Sequence, residues 1–124
     1  MPSKPADFRR LALKLPQAEE RSHMNHPDFR VAGRIFATLA YPKKDWAMVK
    51  LTPMQQEDMV KAHPAALKPV SGAWGRKGCT NLLLTKAGNR LMREALLMAW
   101  RNYAPSELVM KSLARTSKTK RKSA

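Results

Sequence analysis

Phe29-Arg30-Val31-Ala32-Gly33-Arg34-Ile35-Phe36-Ala37-Thr38-Leu39-Ala40 (residues 29–40) is read as extended chain. Its second half, Ile35 to Leu39, has the β-branched and aromatic side chains that fit a pleated, half-buried surface. Gly33 marks a bend or bulge within it. On the N-terminal side, Asn25-His26-Pro27-Asp28 is turn chemistry, preceded by a mostly polar strand from Ala18 to Met24. On the C-terminal side, Pro42-Lys43-Lys44-Asp45 is a second turn. Trp46, Met48 and Lys50 then alternate with Ala47, Val49 and Leu51, the period of a half-buried strand. Three strands joined by such short turns pair antiparallel.

Helices are expected on either side. Pro5 suits a first turn, and Phe8, Leu11, Ala12 and Leu15 make one apolar stripe before Pro16 stops the helix. At Thr52-Pro53-Met54-Gln55, Thr52 caps, Pro53 takes the first helical position and Gln55 completes a capping box. That helix runs to Ala62, and a short further piece covers Ala65 to Leu67. The three glycines of Gly72-Ala73-Trp74-Gly75-Arg76-Lys77-Gly78 predict a loop or a distorted strand pair. Cys79 to Leu84 is the last strand. Thr85 caps a final helix, Lys86 to Tyr103, with Leu91, Met92, Ala95, Leu96, Met98 and Ala99 on its buried side. At 100° per residue, Lys86, Arg90, Arg93 and Arg101 share an arc of about 80° on the other side, with Leu97 among them.

The order α-β-β-β-α-β(β)-α predicts a two-layer α+β domain, an antiparallel sheet covered on one face by helices. Residues 1–104 form that domain, and residues 105–124 are a basic C-terminal tail, at least partly disordered. Ser106 to Arg115 has the apolar points for a helical turn or two.

Charge narrows the function. Of 124 residues, 24 are Lys or Arg and 9 are Asp or Glu, a net charge of +15. Residues 1–58 hold 10 basic and 7 acidic side chains, whereas residues 59–124 hold 14 and 2. Such a field favours polyanions and speeds encounter with them. The single cysteine, Cys79, cannot form an intrachain disulfide, which fits a reducing compartment. The longest apolar run is six residues, Ala95 to Trp100, against about 20 for a membrane span. A cytoplasmic protein is expected.

Three groups of side chains are candidates for phosphate contact. Arg76 and Lys77 lie beside Trp74 in the glycine-rich segment. There Trp74 either stacks on a base or plugs the edge of the core, the role that tryptophan's preference for burial favours. The second group is the helical stripe of Arg90, Arg93 and Arg101 with Lys86, set against an ordinary solvated face in which Arg90 pairs with Glu94. The third is the tail, where Lys118, Lys120, Arg121 and Lys122 would bind polyanions by counterion release. Lys43 and Lys44, at a hairpin tip, are secondary. Catalysis finds little support. Glu19 and Glu20 are adjacent and point to opposite faces of a strand, and no nucleophile elbow, phosphate loop or dinucleotide fingerprint is present. His23, His26, His63 and Cys79 do not supply the ligand set of a zinc site, so neither metal nor cofactor is expected.

Several pieces in their joint order resemble the MmcQ/YjbR family: Asp7-Phe8-Arg9 with Leu13 and Pro16; Glu19-Glu20-Arg21; His26 to Val31; Gly33-Arg34-Ile35-Phe36-Ala37; Val49-Lys50-Leu51; Gly72 to Gly78; and Ala99-Trp100-Arg101. They span residues 5–104. The resemblance implies a frataxin-like or secretion-chaperone-like α+β fold and the family's label of DNA-binding protein. It brings no catalytic residue. Iron, which a frataxin-like fold would suggest, needs a carboxylate-rich surface, and this chain is cationic.

The expectation is therefore a non-enzymatic module that binds DNA or another polyanion by phosphate contacts. The alternative is a protein-interaction or chaperone-like domain whose sheet face or helix groove holds an acidic partner, with Met54, Met59 and Leu97 as adaptable contacts. A small-molecule pocket around Trp46 and Trp74 is a third reading.

Overall fold

Two pairs of residues with positive φ set the start of the sheet. Met24 and Asn25 (φ 49° and 64°) and then Ala32 and Gly33 (φ 52° and 78°) each form a two-residue turn, the backbone that matches the right-handed twist of a tight hairpin. The computed structural model describes residues 3–40 and 43–113. In it, β1 (Glu19–His23), β2 (His26–Val31), β3 (Arg34–Leu39) and β4 (Trp46–Lys50) form an antiparallel meander. Residues 29–40 are thus a hairpin, where the sequence suggested one bent strand. Ala32 hid the turn, because a residue with a Cβ rarely takes φ > 0. Pro27 and Asp28, read as turn residues, belong to β2. Pro27 has a register partner on β1 and none on β3, so its missing N–H breaks no ladder with β3.

Helix α1 (Pro5–Leu13) precedes the meander, and α2 (Pro53–Ala62) follows it. The Thr52 capping box forms as expected, with Gln55 N–H donating to Thr52 Oγ1 at 3.2 Å and Thr52 N–H to Gln55 Oε1 at 2.9 Å. Leu67, read as the end of a helical piece, instead opens the short edge strand β5 (Leu67–Pro69), whose terminal Pro69 suits an edge. The glycine-rich segment forms one helical turn, α3 (Ala73–Arg76), before β6 (Cys79–Leu83). Gly75 must lack a side chain, since a Cβ there would lie 1.6 Å from the Val70 carbonyl oxygen. The last helix, α4 (Asn89–Tyr103), starts three residues later than expected. Lys86 ends a separate 3-10 turn, and the extended backbone of Ala87 separates it from the helix.

The sheet order is β1-β2-β3-β4-β6-β5, antiparallel throughout. Alternation gives it two unlike faces. Phe29, Ala37, Leu39, Ala47, Val49 and Leu82 point toward α1, α2 and α4 and are buried. A register shift in the β2–β3 pairing turns Phe36 into the same core. Phe8 meets Phe29 edge-on with centroids 5.9 Å apart. Trp100 is fully buried and donates from Nε1 to the Pro16 carbonyl at 3.0 Å. Each such side chain contributes roughly 1.5–3 kcal/mol by leaving water, enough to commit this face to the core. After α4, residues 106–113 are helical, and Leu108 and Val109 pack against the core. The rest of the expected disordered tail lies outside the described residues.

Candidate functional site

The helices cover one face of the sheet, and the cavity lies on the other. The cross-strand register places Arg21, Asp28, Thr38, Met48, Asn81 and Lys68 in one row across all six strands of that open face. A cavity of about 520 Å³ lies over Thr38 and Met48 of this row. Ile35, Thr38, Met48 and Cys79 form its floor, the β1–β2 hairpin supplies His23, Met24 and His26, and Val70 and Trp74 stand on the glycine-rich side with Lys50 beside them.

Trp74 does not plug the core. It is 62% exposed, and the Lys77 ammonium sits 5.4 Å from its ring centroid. The reason is local. Gly75 is the residue of α3 that packs inward, against Val70, so its neighbours Trp74 and Arg76 face solvent. Gln56 of α2 holds this turn from behind, donating to the carbonyls of Gly75 (3.0 Å) and Cys79 (2.9 Å). Arg76 and Lys77 are both exposed, and Lys77 lies over the indole that lines the cavity.

The carboxylate in the row is neutralised. Asp28 has no solvent exposure and accepts from Arg30 Nε (2.8 Å) and Nη2 (3.1 Å), with His23 Nδ1 also 2.8 Å away. The Arg30 hydrogen bonds, opposed by burial and helped by His23, hold the Asp28 carboxyl below the usual aspartate range. Burial pushes the Cys79 thiol up, more strongly than Lys50 and Lys77 pull it down. A thiol held protonated is a poor nucleophile and a poor metal ligand. Among the described residues no group of three or more His, Cys, Asp or Glu side chains is placed to hold a metal ion, and no helix is long and apolar enough to cross a membrane.

The structure separates the predicted cations of α4 from this site. Arg90 and Arg93 are exposed on α4, in the helical layer beyond the sheet, and Arg90 lies 3.9 Å from Glu94. Arg101 is half-buried, with its Nε enclosed and without a hydrogen-bond partner. Lys86 belongs to the 3-10 turn and not to the stripe. Lys43 and Lys44 are exposed in the β3–β4 turn. Lys118, Lys120, Arg121 and Lys122 lie outside the described residues. Of the proposed adaptable contacts only Met54 is exposed; Met59 is buried and Leu97 packs against the core. Trp46 shares the open face but does not line the cavity.

The sequence reading missed Ile35, Thr38 and Met48 in the cavity lining, and Asn81 beside Met48. One signal was present: Trp46, Met48 and Lys50 alternate away from the buried Ala47 and Val49, which puts large apolar groups on a face expected to be solvated.

Comparison with known proteins agrees with the architecture. A family model described as YjbR matches residues 13–102. The fold is similar to that of the Deinococcus radiodurans protein DR2400, a crystal structure with a DUF419 domain, at 20% identity and a TM-score of 0.66, covering 79% of this chain and 76% of that one. No curated protein matches the sequence significantly.

Proposed function

The chain belongs to the YjbR family, and from that premise we propose that it is a non-enzymatic nucleic-acid-binding protein that uses the open face of its sheet. The observation that carries the reading is Trp74, 62% exposed beside the cavity with Lys77 over its ring. Every nucleobase has a π-face, so an exposed indole on a basic surface stacks bases without demanding a sequence. Arg76, Lys77, Lys50 and Lys68 supply charge around that face, and Asp28 does not oppose them, because Arg30 neutralises it. Affinity is then dominated by phosphate contact and falls steeply with salt. An open sheet with splayed bases on it suits single strands better than a rigid duplex.

The test is a titration of labelled single-stranded and duplex DNA with the full chain at two salt concentrations. Single-strand binding that weakens with salt, and that falls about tenfold or more in W74A, is expected. No binding below about 10 µM at low salt would exclude phosphate-driven recognition.

Met24 favours a second reading. It is 86% exposed at the hairpin tip, near Met48 in the cavity floor. Adaptable methionines suit an apolar side chain of an acidic protein partner. That reading gains if defined acidic peptides with one apolar anchor bind the open face and nucleic acids do not.

A further inference from the structure

Two polar atoms on the open face have no partner within the protein. Thr38 is 5% exposed, lines the cavity, and its Oγ1 is buried without a hydrogen bond. The Oδ1 of Asn81, the register partner of Met48 just outside the cavity lining, is likewise buried and unbonded. Buried polar atoms are nearly always paired, so two of them in one cross-strand row point to a molecule that supplies the missing bonds. The register pairs Thr38 with Met48 and Met48 with Asn81, so the two atoms flank Met48. Adjacent strands lie about 4.8 Å apart, which sets Thr38 and Asn81 roughly 10 Å apart. A flat heterocycle with a hydrogen bond at each edge spans that distance.

Resting on the nucleic-acid reading above, we infer that the cavity is a base-recognition pocket that takes one unstacked base of a single-stranded nucleic acid. The base lies over Met48, whose thioether makes favourable contact with aromatic rings. Trp74 borders it as a stacking wall. Asn81 Oδ1 accepts from a base amino or imino group, and the Thr38 hydroxyl completes the other edge as donor or acceptor. Lys50 in the lining and Lys77 over Trp74 would meet the backbone phosphates as they enter and leave. Phosphates alone would leave Thr38 and Asn81 unpaired. An apolar peptide side chain would do the same, which is why a base is the occupant.

The experiment compares fluorescence anisotropy titrations of four single-stranded homopolymers with an abasic phosphodeoxyribose strand of equal length, using wild type, T38V, N81A and W74A. Wild type is expected to bind at least one homopolymer about tenfold more tightly than the abasic strand. T38V and N81A are expected to lose roughly three- to tenfold on that homopolymer and nothing on the abasic strand. An unchanged abasic affinity also shows that each variant is folded. If T38V, N81A and W74A all bind the homopolymers like wild type, the base pocket is overturned and the phosphate-driven function stands. If wild type binds neither kind of strand, both are overturned. Free mononucleotides that compete as well as the strand would overturn the assignment to a strand.

Discussion

Asp28 and Thr38 are register partners on β2 and β3, and their side chains are managed in opposite ways. Asp28 is fully buried and fully bonded. Its carboxyl is held below the usual value of about 3.9 chiefly by Arg30, so the folded state takes up this proton less readily than the unfolded chain. The stability it contributes is complete above the unfolded value and is lost as pH falls through the lower folded one. D28N should therefore lower stability near neutral pH by about 2 kcal/mol. It should also flatten the acid limb of a stability–pH curve measured by urea unfolding. Thr38 is the reverse case, a buried hydroxyl with no partner. T38V keeps the shape and removes the unpaired group, so it should raise stability by about 1 kcal/mol, read as a melting temperature a few degrees higher. A residue that becomes better for the fold when its polar atom is removed is one whose polar atom serves something else.

At the scale of elements, what could be read depended on whether the signal was local. Thr52, Pro53 and Gln55 sit within four residues and specified the start of α2 correctly. The stripes of α1 and α4 were equally legible, because helical periodicity needs only neighbours in sequence. The β2–β3 hairpin was not, because Ala32 is a poor residue for the left-handed backbone its turn requires. A32N creates the Asn-Gly pair such turns prefer and should raise stability by about 0.5–1 kcal/mol, seen as a higher urea midpoint at unchanged slope. Strand β5 escaped for a different reason: it is three residues long and ends in proline, and only its pairing with Leu82, Asn81 and Thr80 makes it a strand. The site failed in the same way. Alternation in β4 showed that Met48 and Lys50 leave the core, but their neighbours Thr38 and Asn81 come from other strands. The exposure of Trp74 was opaque until Gly75 was seen against Val70. G75A would drive a methyl group into the Val70 carbonyl. It should displace α3 and weaken single-strand binding about as much as W74A while leaving the core strands protected from hydrogen exchange.

Among the described residues, the cations do not form one surface. The sheet divides them. Arg76, Lys77, Lys50 and Lys68 border the open face, while Arg90 and Arg93 stand on α4 in the opposite layer. A single strand engaged with the cavity cannot also lie along α4 without wrapping an edge of the sheet. The two groups should therefore separate in a salt titration. Each cation that neutralises a phosphate of a single strand contributes about 0.7 to the slope of log affinity against log salt. R76A/K77A should lower that slope by about 1.4, and R90A/R93A should leave it unchanged, when the labelled strand is short enough to contact one face only. Equal losses from both pairs would mean that net charge, and not the geometry of the open face, governs binding. A slope lowered by R76A/K77A alone would make the helical stripe that the sequence made conspicuous a solvated outer face, and the loop beside Trp74 the place where charge meets shape.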